Sequence, residues 1–145
     1  MGGLGEEASM GAAEIEVEEA RWPLVVVRWP DGPITDEAIE RYLRVAIGHM
    51  KRGRHFVLHL TVRVAGLDAR QRRTFAEHIE LHRSTLKAKV GGAAIVVDSA
   101  IARGVITAVN WIAPPPFPQR VFATEGEAEA YLAQLIAAEQ TRRAG

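Results

Sequence analysis

From Glu14 the chain alternates charged and apolar positions, Glu14-Ile15-Glu16-Val17-Glu18, which puts Ile15 and Val17 on one face of a strand and three carboxylates on the other. Trp22 to Trp29 (WPLVVVRW) is a β-branched run closed by Pro30-Asp31-Gly32-Pro33, and the short link at Ala20-Arg21 predicts a hairpin with the first strand. Thr35 then stands as a helix N-cap, with Asp36 and Glu37 in the first turn, where the helix dipole favours negative charge. Ile39, Tyr42, Leu43, Ala46, Ile47 and Met50 follow at spacings of three and four, one apolar stripe that Gly53 stops.

Arg54 to Val62 alternates again, with Phe56, Leu58, Leu60 and Val62 against His55, Val57, His59 and Thr61. The first set reads as the core face and the second as the wetter one. Asp68 with Gln71 three residues on predicts a capping box for a helix to about Leu86, striped by Phe75, Ala76 and Ile79 and broken by Gly91-Gly92. Ala93 to Val97 reads as a short buried strand. A helix from Asp98-Ser99 ends at Pro114-Pro115-Pro116, Arg120 to Ala123 is a last strand, and Thr124 with Glu127 caps a final helix that frays after about Gln140.

The fold class is therefore α/β: one domain over residues 14–140 in the order ββαβαβαβα, with a small mixed sheet and helices mainly on one face. Residues 141–145 form a frayed end. Residues 1–13, rich in glycine and poor in bulky apolar residues, are expected to be a disordered tail. If the histidine face and the Glu14, Glu16 and Glu18 face are both wet, the helices belong on the opposite side of the sheet. His55 and His59 are then cross-strand partners of the glutamate ladder.

The composition removes several classes of function. Of 145 residues, 18 are Lys or Arg and 18 Asp or Glu, so nothing draws the chain as a whole to nucleic acid or anionic lipid. The layout is uneven: residues 1–40 sum to −8, 41–120 to +10 and the remainder to −2. Acidic and basic segments are expected to neutralise each other in the fold. Without cysteine there is no disulfide framework, thiol catalysis or thiolate zinc site. The apolar runs fall far short of the roughly 20 residues that span a bilayer, and the acidic start is the reverse of a signal peptide. These features predict a cytoplasmic protein that binds neither membrane nor nucleic acid.

No phosphate-binding glycine loop or nucleophile elbow occurs. Ser99 reads as an N-cap rather than a nucleophile. His78 and His82 share a helix face without forming H-E-x-x-H, and His55 and His59 stand roughly 13 Å apart along a strand, too far to hold one ion. An enzyme would have to draw on His78, His82, Asp98 and Ser99. The expectation is a non-enzymatic protein with no catalytic residue, metal or cofactor. Two features look like binding surfaces. Trp111 and Phe117 flank a stiff proline segment, and Leu67, Asp68, Arg70, Arg72 and Arg73 form a charged rim at the end of a central strand, where ligands of open α/β sheets gather.

PLVVVRWP, the TDEAIERYL helix, the FVLHL strand leading to the ARQRR helix, and AAIVVDSAIARGVITAVNW with a closing capped helix resemble a bacterial STAS-type domain, the SpoIIAA-like fold of anti-anti-sigma factors and their lipid-binding relatives. The likeness covers about Glu14 to Ala138. It implies a regulatory module that docks a protein partner, in some relatives under control of a phosphorylated serine. Where such relatives carry Asp-Ser-[Ser/Thr]-Gly, this chain has Leu67-Asp68-Ala69-Arg70, with no hydroxyl to phosphorylate. The alternative is a carrier of a small molecule or lipid, with an apolar cavity lined by Trp22, Phe56 and Tyr42. A weak homodimer is the expected self-association.

Overall fold

A computed structural model describes residues 14–60, 67–97 and 99–145. The expected tail at 1–13, and Thr61, Val62 and Asp98, lie outside the described residues. The strands are β1 (Glu16–Glu18), β2 (Leu24–Arg28), β3 (His55–Leu60), β4 (Val90–Val96) and β5 (Gln119–Phe122). The helices are α1 (Asp36–Arg52), α2 (Ala69–Leu81), α3 (Arg83–Lys89), α4 (Ala100–Ile112) and α5 (Glu125–Ala144). One five-stranded sheet runs in the order β1-β2-β3-β4-β5. β1 is antiparallel to β2, as the hairpin reading requires, and the other three pairings are parallel. The α/β class and the small mixed sheet are as read from the sequence, and the succession differs in one place, two helices instead of one lying between β3 and β4.

The position of the helices is not. Because β2 to β5 step in one direction, right-handed crossovers must all fall on the same face. That face is the one bearing His55 and His59. Val25, Val27 and Ile95 pack there with Ile39 of α1, and Tyr42, Phe75 and Ile106 bring α1, α2 and α4 against the same cluster. Helix α5 follows the last strand, is free of the crossover rule, and covers the other face. There Ala128 and Leu132 meet Leu24, Val26, Phe56, Leu58 and Ala94. The sheet is thus covered on both faces, and His55 is 3% exposed. The glutamates of β1 cannot pair with these histidines either, since β2 lies between: Glu16 stands opposite Arg28, and Glu18 forms an ion pair with Arg28 at 3.5 Å.

Three further boundaries differ. The helix expected to run to Leu86 breaks at His82, which is both the C-cap of α2 and the N-cap of α3. Gly91 and Gly92 lie inside β4 rather than ending a helix, at a register shift opposite His55 and Phe56. The C-terminal helix stays helical through Ala144. The caps at Thr35 and Asp68 form as read, Thr35 Oγ1 accepting from the Ala38 N–H at 3.1 Å and Asp68 with Gln71 closing a reciprocal box. At α5 the Thr124 hydroxyl accepts from the Glu127 N–H, but also donates to the Glu127 carboxylate, so the box is one-sided. The acidic start neutralises the basic middle, with Glu14 on Arg41 at 2.9 Å and Asp36 on Arg70 at 2.8 Å.

Candidate functional site

Between the histidine face and the crossover helices lies a cavity of about 200 Å³. Its floor is β-sheet: Val25 and Val27 of β2, His55, Val57 and His59 of β3, and Ala93 and Ile95 of β4. Helix α1 adds Tyr42, Leu43, Ala46, His49 and Met50, α2 adds Phe75, His78 and Ile79, and Ile106, Val109 and Asn110 come from α4. No Lys, Arg, Asp or Glu among the described residues lines it.

At one end Trp29 is the centre of an aromatic cluster, with Tyr42, Phe75 and His59 packed around it. The Trp29 ring centroid is 5.3 Å from that of Tyr42 and 5.8 Å from those of Phe75 and His59. The sequence builds it from three elements: Trp29 just past β2, Tyr42 on the inner stripe of α1 and Phe75 on that of α2. The Trp29 Nε1–H donates to His59 Nδ1 at 2.9 Å. An indole nitrogen can only donate, so Nδ1 carries a lone pair and the neutral ring carries its proton on Nε2. Burial pushes the His59 pKa down to about 4, which keeps the ring neutral. Burial also holds the Tyr42 hydroxyl protonated, its pKa well above the usual phenol value.

At the other end the tautomer is reversed. His55 Nδ1–H donates to the Gly53 carbonyl at 2.8 Å, leaving Nε2 as an acceptor in the neutral ring. Burial first, then the neighbouring His49 and Arg54 charges, lower its pKa against the opposing effect of the Gly53 carbonyl. Trp22 stacks on His55 with centroids 5.3 Å apart, His49 bonds Glu19, and the Arg52 guanidinium lies 4.0 Å over Trp22. Burial, with a smaller contribution from His82, takes His78 down to about 4, and the His78 and His82 rings lie 4.7 Å apart. Among the described residues no group of three or more metal-ligating side chains occurs.

Of the cavity residues expected from the sequence, only Tyr42 lines it. Phe56 points to the α5 face, and Trp22 packs beyond His55. The charged rim is committed locally. Asp68 caps α2, Arg70 pairs with Asp36, and Arg72 donates to the Leu67 carbonyl at 2.8 Å. Arg73 is exposed, and Leu67 is 6% exposed and lines the cavity. Trp111 and Phe117 are not brought together. Trp111 is 84% exposed, whereas Phe117 packs on Met50, Leu86 and Val90. Missed from the sequence were Trp29, His59 and Phe75 as one unit; the available signal was a tryptophan just past a strand whose neighbour carries histidines on the same face. Among the described residues no helix is long and apolar enough to cross a membrane. Compared with known proteins, the chain matches no family model, no curated protein and no solved structure.

Proposed function

We propose that this chain is a non-catalytic domain that binds a small, largely apolar molecule between its sheet and crossover helices. The observation carrying this reading is the cavity itself, of about 200 Å³, walled by apolar side chains with a few neutral polar groups. Preformed cavities of this character are where small ligands bind. Its size narrows the class. A cavity of roughly 150 Å³ holds benzene, and drug-sized ligands need about 300 Å³ or more. A single ring with a short substituent fits the space better than a long acyl chain. The non-catalytic part is supported by His55 and His59, each with one ring nitrogen held by a structural partner and both kept neutral.

The test is the melting temperature of the purified chain with toluene. At ten times the dissociation constant, ligand linkage adds roughly 1.4 kcal/mol, a rise of about 3–6 °C for a domain of this size. Ala46→Phe, which fills the cavity from α1, is expected to abolish the rise. No shift with any small apolar ligand would overturn the proposal.

A second reading, protein docking by a cytoplasmic STAS-type module, is favoured by Trp111, a large aromatic 84% exposed beside a half-exposed Ile112. The order of elements from Glu14 to Ala138 supports the STAS-type assignment. On this reading Trp111→Ala abolishes binding to a partner identified from cell extract and re-tested with purified components, without lowering stability. Asp68→Ala, by contrast, costs about 1 kcal/mol of stability as a lost cap and leaves docking intact. Equal capture by wild type and Trp111→Ala would remove this reading.

A further inference from the structure

The polar groups of the cavity specify more than size. Every fully buried side-chain nitrogen or oxygen among the described residues has a hydrogen-bond partner. His59 is half-buried, its ring borders the cavity, and its Nε2 has no hydrogen-bond partner among the described residues. The Nε2 proton is fixed there by Trp29, because protonating Nδ1 would set two N–H groups against each other, and turning the ring over would leave the indole N–H facing a C–H. The His59 end of the cavity therefore offers a fixed donor beside an aromatic cluster. Among the described residues no lysine or arginine lines the cavity to neutralise an anion, and no carboxylate lines it to neutralise a cation. His49, a further cavity residue able to carry charge, is engaged by Glu19.

We infer that the cavity takes uncharged single-ring molecules bearing a hydrogen-bond acceptor, an aryl ketone or aldehyde being the simplest, with the ring packed against the Trp29, Tyr42 and Phe75 cluster and the acceptor oxygen on His59 Nε2–H. This deepens the ligand-binding reading and rests on it. It distinguishes the cavity from a fatty-acid site, which needs a cation for the carboxylate. It also distinguishes it from an aromatic cage for ammonium groups, in which a fixed N–H donor is repulsive.

The test titrates the full chain at neutral pH with toluene, acetophenone, benzoate and benzylammonium, following binding by calorimetry and the His59 ring nitrogens by 15N NMR. Acetophenone is expected to bind about tenfold more tightly than toluene, the worth of one hydrogen bond in a desolvated site. Both ions are expected to bind at least about a hundredfold more weakly than acetophenone. The His59 Nε2–H resonance should move with acetophenone and not with toluene. His59→Leu should keep toluene binding and erase the acetophenone advantage; the wild-type nitrogen spectrum decides the matter where that variant does not fold. Equal affinity for toluene and acetophenone, or tighter binding of either ion, overturns the donor assignment and leaves the cavity reading standing. Failure of all four to bind overturns both.

Discussion

Gly91→Val is expected to cost about 3 kcal/mol or more and to leave a chain that is marginally folded at best. A Cβ at Gly91 would sit 2.4 Å from both Cε2 and Cζ of Phe56. That ring is 2% exposed and locked in the cluster formed by Leu24, Leu58 and Leu132, so it has nowhere to swing. Overpacking a filled core costs roughly 1–3 kcal/mol when the surroundings give, and more when they do not. The neighbouring site is as tight: a Cβ at Gly92 would lie 2.5 Å from Leu135 Cδ1 on α5. Gly48→Ala in the exposed middle of α1, where a Cβ meets nothing within 4 Å, is expected to stabilise by roughly 0.5–1 kcal/mol. Urea denaturation of the two variants reads the contrast, and a double-mutant cycle assigns the cause. Phe56→Leu should recover part of the Gly91→Ala loss, because removing the ring tip removes the clash. An unchanged midpoint for Gly91→Val would show that Phe56 does not occupy that space.

The same two glycines show why the sequence misleads at this point. Glycine after a helical stripe ordinarily means a helix stop. Here the missing side chains let a phenyl ring and a leucine from the α5 face approach the backbone of β4, a demand set by residues far away in sequence. Local patterns with local causes were legible: the Thr35 and Asp68 caps, the proline stop after α4, the hairpin of β1 and β2. Which face the helices cover was not legible from the histidines, although a non-local signal was present. The LVVVR run of β2 does not alternate, which is the mark of a strand buried on both sides. The two histidines of HFVLHL suggest a wet face by residue type. They are tolerated inside because Gly53 and Trp29 satisfy one nitrogen of each, and neither partner can be inferred from the strand's own sequence. The cavity is likewise a product of packing between the sheet and the crossover helices.

Mild acid is expected to destabilise the protein before any carboxylate is titrated, and His59 is the main cause. In the unfolded chain its imidazole takes up a proton near pH 6.5; in the folded protein it does so only at about 4. Although the ring borders the cavity, it lies deep between sheet and helices, and the Trp29 N–H facing Nδ1 opposes a second ring proton. Between these two values the unfolded state binds the extra proton, so stability is complete above about pH 6.5 and falls as the pH drops toward 4. The shift corresponds to about 3 kcal/mol for this one group. His78, lowered to about 4 chiefly by burial, and His55 act in the same direction. The paired carboxylates act lower. Asp36, Glu80 and Glu129, each held down first by an arginine hydrogen bond, lose their contribution only below the ordinary carboxylate range. Urea denaturation between pH 7 and 5 therefore isolates the histidines. His59→Asn, whose side-chain oxygen stands where Nδ1 does and can still accept from Trp29 without titrating, should remove the His59 share of the slope and leave that of His78 and His55. A folded-state His59 titrating near 6.5 by NMR, or stability independent of pH in that interval, would refute the assignment.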